Sequence, residues 1–167
     1  AKYNWMKNKI CEFLAPTTYV SVEDFAYGKA AAQGQIFSLA EFEGNIKLNL
    51  IEQGKKMRLY SVNSNKKFFT GYGLSDKISM YKAYQTWPEN KPSLADLPVV
   101  DNGHGVRSYI TFLGTIFYAL CECLRMELKL RAGVIALHQL PKCQIEVYNV
   151  CSKENPQGLL VAPFIEK

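Results

Sequence analysis

The chain lacks the spacings that mark small metal-stapled or disulfide-framed domains. Its five cysteines, Cys11, Cys121, Cys123, Cys143 and Cys151, are odd in number, form no CxxC pair, and make no zinc-finger spacing with the two histidines. The expectation is an intracellular, reducing compartment: cytoplasm, nucleoid or organelle matrix. No apolar run reaches the roughly 20 residues of a membrane span, and the N-terminus shows no basic-then-apolar leader pattern, so no membrane partner is expected. A GxxxxGK[ST] phosphate loop is missing, as are internal repeats and low-complexity tracts. His104 and His138 are isolated and read as ordinary surface or core histidines.

What is present suits one compact domain over residues 1–167, since 48% hydrophobic and 13% aromatic content can supply a core. Lys plus Arg exceed Asp plus Glu by 20 − 15 = 5, which permits a polyanionic partner without demanding one. The pattern from Asn4 to Leu14 predicts an amphipathic helix ending at Pro16, and the β-branched and aromatic run Thr17 to Phe25 predicts a central strand. Ile36, Leu39, Ala40, Ile46, Leu48, Leu50 and Ile51 predict a helix to about Gly54, and Met57 to Val62 a second strand. Strand, helix, strand at this spacing is a βαβ unit, so the fold class is α/β with parallel pairing. A helix over Ser75 to Trp87, N-capped by Ser75 and stopped by Pro88, comes next. A Pro- and Gly-containing loop spans Glu89 to Gly105, and the longest helix runs from Arg107 to Arg131 with Gly133 as its C-cap. The tail begins at Pro141 with a short helix and ends in an extended apolar run, Leu159 to Ile165.

Two stretches carry candidate chemistry. Glu23 lies at the carboxyl end of the first strand, where open α/β sheets place ligands, and with Asp24 it offers the hard oxygen donors that Mg²⁺ takes. An acid just past a strand is equally an ordinary solvated terminus. In the stretch Lys66 to Lys77, Gly71 and Gly73 permit close backbone approach, Thr70 adds a hydroxyl, and Lys66, Lys67 and Lys77 can meet phosphates. The same composition also serves a plain glycine turn with solvated lysines. Phe68, Phe69 and Tyr72 can stack on bases, though Phe68 and Phe69 equally suit a core. Asp96 and Asp101 sit in the long loop, and Cys121 and Cys123 read as helix filler.

On these residues the chain resembles the RuvC-type Holliday-junction resolvases of the phage and organelle-like branch. The landmarks are Val22-Glu23-Asp24-Phe25-Ala26-Tyr27-Gly28, and Ala40-Glu41-Phe42-Glu43-Gly44 in the helix after it. Asn65-Lys66-Lys67-Phe68 with Thr70-Gly71-Tyr72-Gly73 and Asp76-Lys77, and Glu146-Val147-Tyr148-Asn149 with Ser152-Lys153 and Asn155-Pro156, complete the set. The resemblance implies a ribonuclease-H-like fold, a mixed sheet flanked by helices. It also implies cleavage of branched DNA with Mg²⁺ or Mn²⁺, and a homodimer. It implies a metal and catalytic role for Glu23, and nucleic-acid contacts from Lys66, Lys67, Thr70, Gly71, Tyr72, Gly73 and Lys77.

The chain departs from that pattern in two places. The family's opening strands and their Asp are absent from this chain, which starts at Ala1 rather than Met and leads us to expect an upstream segment. The two acids expected at the start of the last long helix align with Leu113 and Ile116, or, in a second alignment, near Asp101 and His104. Glu23 alone cannot hold two Mg²⁺ ions. Two expectations follow: an active resolvase completed by an absent segment or a second chain, or a degenerate resolvase fold kept for DNA or RNA binding or as a structural subunit of a larger assembly. A general α/β interaction domain with no nucleic-acid role is a third. A sheet lacking its first strands also has an open edge, so another polypeptide or segment is expected to pair against the Glu23 strand.

Overall fold

A computed structural model describes residues 2–24, 33–88 and 106–154 of the chain. Contacts within the backbone divide it into two compact units, which separate between Ser61 and Val62.

In the first unit the order is α1 (Lys2–Leu14), β1 (Tyr19–Glu23), α2 (Gln33–Glu52) and β2 (Lys56–Tyr60). The strands pair in parallel with Val20 opposite Met57 and Glu23 opposite Tyr60. The ladder continues past both ends, where Lys56 N–H donates to Thr18 O (2.9 Å) and Asp24 N–H donates to Tyr60 O (2.8 Å). This is the expected βαβ unit. Among the described residues its sheet has these two strands and is wholly parallel, where the resemblance implied a mixed sheet.

Strand alternation sorts the side chains. Val20, Val22 and Met57 face a core shared with Ile46, Leu50 and Ile51 of α2 and Cys11 and Leu14 of α1. Fully burying side chains of this size stabilises by roughly 1.5–3 kcal/mol each before entropy is counted. The opposite face pairs Tyr19 with Lys56, Ser21 with Arg58 and Glu23 with Tyr60. Arg58 and Tyr60 are fully buried there, with the guanidinium 5.5 Å from the Tyr60 ring centroid.

Helix α2 ends where expected because Gly54 takes φ +71°, a left-handed conformation that costs a Cβ-bearing residue. Gly54 N–H then donates to Ile51 O and Lys55 N–H to Leu50 O, which satisfies two otherwise orphaned carbonyls. The Lys55 ammonium reaches back to Ala15 O and Thr17 O, tying the α1–β1 connection to the start of β2.

The second unit is helical: α3 (Val62–Thr70), α4 (Lys77–Thr86), α5 (Val106–Arg131), a 3₁₀ turn (Leu137–Gln139) and α6 (Lys142–Glu154). Helix α3 packs against α4, α5 and α6, and α4 packs on α5. The core is Met80 and Tyr84 of α4, Val147 and Tyr148 of α6, and Ala119, Leu120, Cys123 and Leu124 of α5 with Phe68 and Phe69 of α3, the α4 and α5 residues recurring at i, i+4. Trp87 stacks on Phe69 with centroids 4.3 Å apart, and Tyr148 Oη donates to Cys123 O at 2.7 Å. At the end of α5, Gly133 (φ +72°) closes the helix as expected, with Val134 N–H donating to Lys129 O.

Two sequence expectations need correction here. Residues 66–77 are not one glycine-rich loop, because 62–70 form α3 and a short turn separates it from α4. Asn63, Ser64 and Asn65 are poor helix formers, but burial of Ser64, Asn65, Phe68 and Phe69 against neighbouring helices outweighs propensity. The cap of α4 is Asp76, whose carboxylate accepts from Ser79 N–H at 2.7 Å, and not Ser75, which is buried in the turn. The expected loop Glu89–Gly105, with Asp96, Asp101 and His104, lies outside the described residues, as do Phe25–Gly28 and Leu159–Ile165. No helix among the described residues is long and apolar enough to cross a membrane.

Candidate nucleic-acid interface

The two stretches singled out from sequence fall in different units, and each is built from its own surroundings. At the end of β1, Glu23 and Asp24 are consecutive residues of an extended chain, so their side chains leave on opposite sides of the sheet. Glu23 belongs to the face of Arg58 and Tyr60. Asp24 turns to the α2 side, where Lys47 Nζ lies 3.9 Å from its Oδ1 and 2.5 Å from Glu43 Oε1. Glu43 and Lys47 are one helical turn apart, in the favourable order for an ion pair, and their side chains are 19% and 16% exposed.

The expected paired donors are therefore separated, and the ammonium paired with Glu43 lies near the second carboxylate. Mg²⁺ needs oxygen ligands in near-octahedral array, with carboxylates free to approach it. The described residues do not fit that requirement: they contain no group of three His, Cys, Asp or Glu side chains able to hold an ion. On α5, Leu113 and Ile116 stand as apolar residues in the helix interior; Ile116 offers its backbone oxygen to Asn65 Nδ2 at 3.4 Å.

The turn between α3 and α4 is a different kind of object. Gly71 enters it at φ +89°, a conformation that favours glycine. Tyr72 N–H donates to Thr70 Oγ1 at 3.1 Å, Ser75 Oγ donates to Tyr72 O at 2.6 Å, and the two hydroxyl oxygens are 2.5 Å apart. Thr70 Oγ1 also lies 2.8 Å from Lys66 O, so its hydroxyl is spent on the turn itself and does not await a phosphate. Gly73 packs so close to α3 that a Cβ there would sit 3.2 Å from Asn63 O.

Of the three lysines expected at this interface, Lys67 turns to α6 and pairs with Glu146 at 2.5 Å. That pair holds the Glu146 carboxyl below its usual value, first through the hydrogen bond from Lys67 and then through its charge. Lys66 and Lys77 flank the turn, and sequence reasoning missed a third cation, Lys82. Both Lys66 and Lys82 act on Asp76, whose carboxyl is held low chiefly by the hydrogen bonds from Ser79, with the two cations adding to the effect. Two large exposed apolar side chains were left unremarked, Leu74 at 68% and Ile78 at 57%, while Tyr72, expected to stack on bases, is 62% exposed. The legible signal was an apolar residue at alternate positions of a glycine turn bounded by lysines, a place where burial is not available.

The arrangement sets cations and exposed apolar side chains beside an ordered turn. Lysines around a rigid turn attract a polyanion, and exposed rings and aliphatic groups offer contact to bases. The chain matches no known family model, no curated protein and no solved structure.

Proposed function

We propose that the chain is a nucleic-acid-binding protein on a degenerate resolvase-type scaffold, binding through the α3–α4 turn with Lys66, Lys77 and Lys82 against phosphates. The observation that carries this reading is the prebuilt turn itself, in which the Thr70 and Ser75 hydroxyls and two glycines fix the backbone between lysine-bearing helices. The parallel βαβ unit and the order of the landmark residues support a ribonuclease-H-like ancestry. The engagement of Asp24 and Glu43 by Lys47, and the apolar Leu113 and Ile116, support loss of metal-dependent cleavage. The ligand class is branched DNA or RNA, and the two-stranded sheet supports a second copy or second chain pairing at β1, whose Tyr19 is exposed while β2 is largely buried.

The test is a labelled four-way DNA junction with Mg²⁺ or Mn²⁺, read for both retention and cleavage. Expected are salt-sensitive binding without cut products, unchanged by Glu23→Gln and weakened several-fold by Lys66→Ala with Lys77→Ala. Cut products that disappear in Glu23→Gln would establish the active reading instead. Absence of any salt-dependent binding to DNA or RNA would leave an interaction domain of another kind.

A further inference from the structure

We infer that Glu122 is a proton-operated latch in the second unit, its carboxylate holding the indole N–H of Trp87 at the end of α4 and its acid form releasing it. Trp87 closes α4, where its backbone N–H donates to Tyr84 O at 3.2 Å, and its ring stacks on Phe69 of α3 with centroids 4.3 Å apart. The indole Nε1–H reaches across to α5 and donates to Glu122 Oε2 at 3.3 Å. The same oxygen accepts from Arg125 Nη2 at 2.6 Å. One oxygen of a buried carboxylate therefore serves two donors, and the indole makes the longer bond.

A carboxylate only accepts, whereas a carboxylic acid must also donate. A proton on Oε2 displaces a donor from it, and a proton on the other oxygen leaves Oε2 a neutral, weaker acceptor. In both cases the indole bond is the one given up, because the guanidinium keeps its charge and makes the shorter contact. The acid form also has an oxygen to donate to: Tyr118, one turn earlier on α5, has a buried hydroxyl with no hydrogen-bond partner among the described residues. The groups facing this cluster leave Glu122 as the one that changes charge in mild acid. They are Tyr118, Cys121, Arg125 and Lys129 on α5 and Trp87 at the end of α4, with Tyr84 edge-on to Tyr118 at 5.2 Å; α3 contributes Phe69, which does not titrate. Arginine and lysine are cationic throughout mild acid. Burial moves both phenols and the Cys121 thiol further from that range and moves the Glu122 carboxyl up into it.

Trp5 and Trp87 are the chain's two tryptophans, so Trp5→Phe leaves Trp87 as its single indole. In the full chain carrying that change, the indole N–H resonance of Trp87 and its exchange with water are followed from neutral to mildly acid pH, with circular dichroism reporting that the fold persists. Expected is one titration with its midpoint above the ordinary glutamate value, at whose acid end the resonance moves upfield and exchange quickens about tenfold. With Glu122→Gln added, the resonance stays near the acid-end position at every pH. With Tyr118→Phe added, the midpoint falls, because the acid form has lost its acceptor. A titration that persists with Glu122→Gln overturns the latch. So does a flat resonance in the Trp5→Phe protein while circular dichroism stays constant, a measurement that holds even if Glu122→Gln does not fold.

Discussion

Glu122 sits where burial opposes its charge. It is a buried carboxylate on α5, accepting from Arg125 Nη2 at 2.6 Å and Trp87 Nε1 at 3.3 Å. Burial pushes its carboxyl above the usual range, and the hydrogen bond from Trp87 offsets part of that. The neighbouring Tyr118 phenol is driven up to about 12, first by burial and then by the Glu122 charge. A raised carboxyl means the folded protein binds more protons than the unfolded chain between the ordinary value and the raised one. Glu122 therefore lowers stability as pH rises through that window. Asp76 and Glu146 act with the opposite sign, since held-low carboxyls lose their contribution as pH falls. Glu122→Gln keeps the shape and removes the titration. Urea midpoints measured across mildly acidic to neutral pH should show the wild type losing stability relative to the variant as pH rises. Parallel curves would contradict that.

At the scale of elements, the α3–α4 turn is where local chemistry and packing act together. Gly71→Ala should destabilise the protein by about 1 kcal/mol, because alanine pays for a left-handed backbone even though no atom lies near its Cβ. Thr70→Val, which removes the hydroxyl that accepts from Tyr72 N–H, should cost about 1 kcal/mol as well and loosen the apex. Thermal melts give the first quantity, and amide exchange at Tyr72 reads the second; unchanged protection there would show that the hydroxyl pair does not hold the turn. Most elements were legible from sequence. Ile46, Leu50 and Ile51 marked α2, Val20 and Val22 marked β1, and Gly54 and Gly133 marked two helix ends. Helix α3 was not legible, because its Asn-Ser-Asn start is written in turn-like residues and is held by contacts with helices far along the chain. The site was half legible. The lysines and glycines were visible as a group, but the engagement of Lys67 with Glu146, and of Thr70 with the turn, depends on geometry that no spacing rule encodes.

For the whole molecule, the net charge of +5 is less informative than where cations are spent. Arg58 is enclosed in the first unit, Lys67, Arg125 and Arg131 are paired within the second, and Lys66 and Lys82 act on Asp76. Lys47 has a consequence of its own. A metal ion between Asp24 and Glu43 could be stripped by a chelator or exchanged for another, whereas an ammonium carried on α2 by four methylenes can do neither. Its supply is fixed by translation and not by the ionic composition of the cell. The thermal midpoint should accordingly be the same in EDTA and in millimolar Mg²⁺, and a Mg²⁺-dependent rise that vanishes in Asp24→Asn would show otherwise. The counter-ion at this strand end is thus permanent rather than exchangeable.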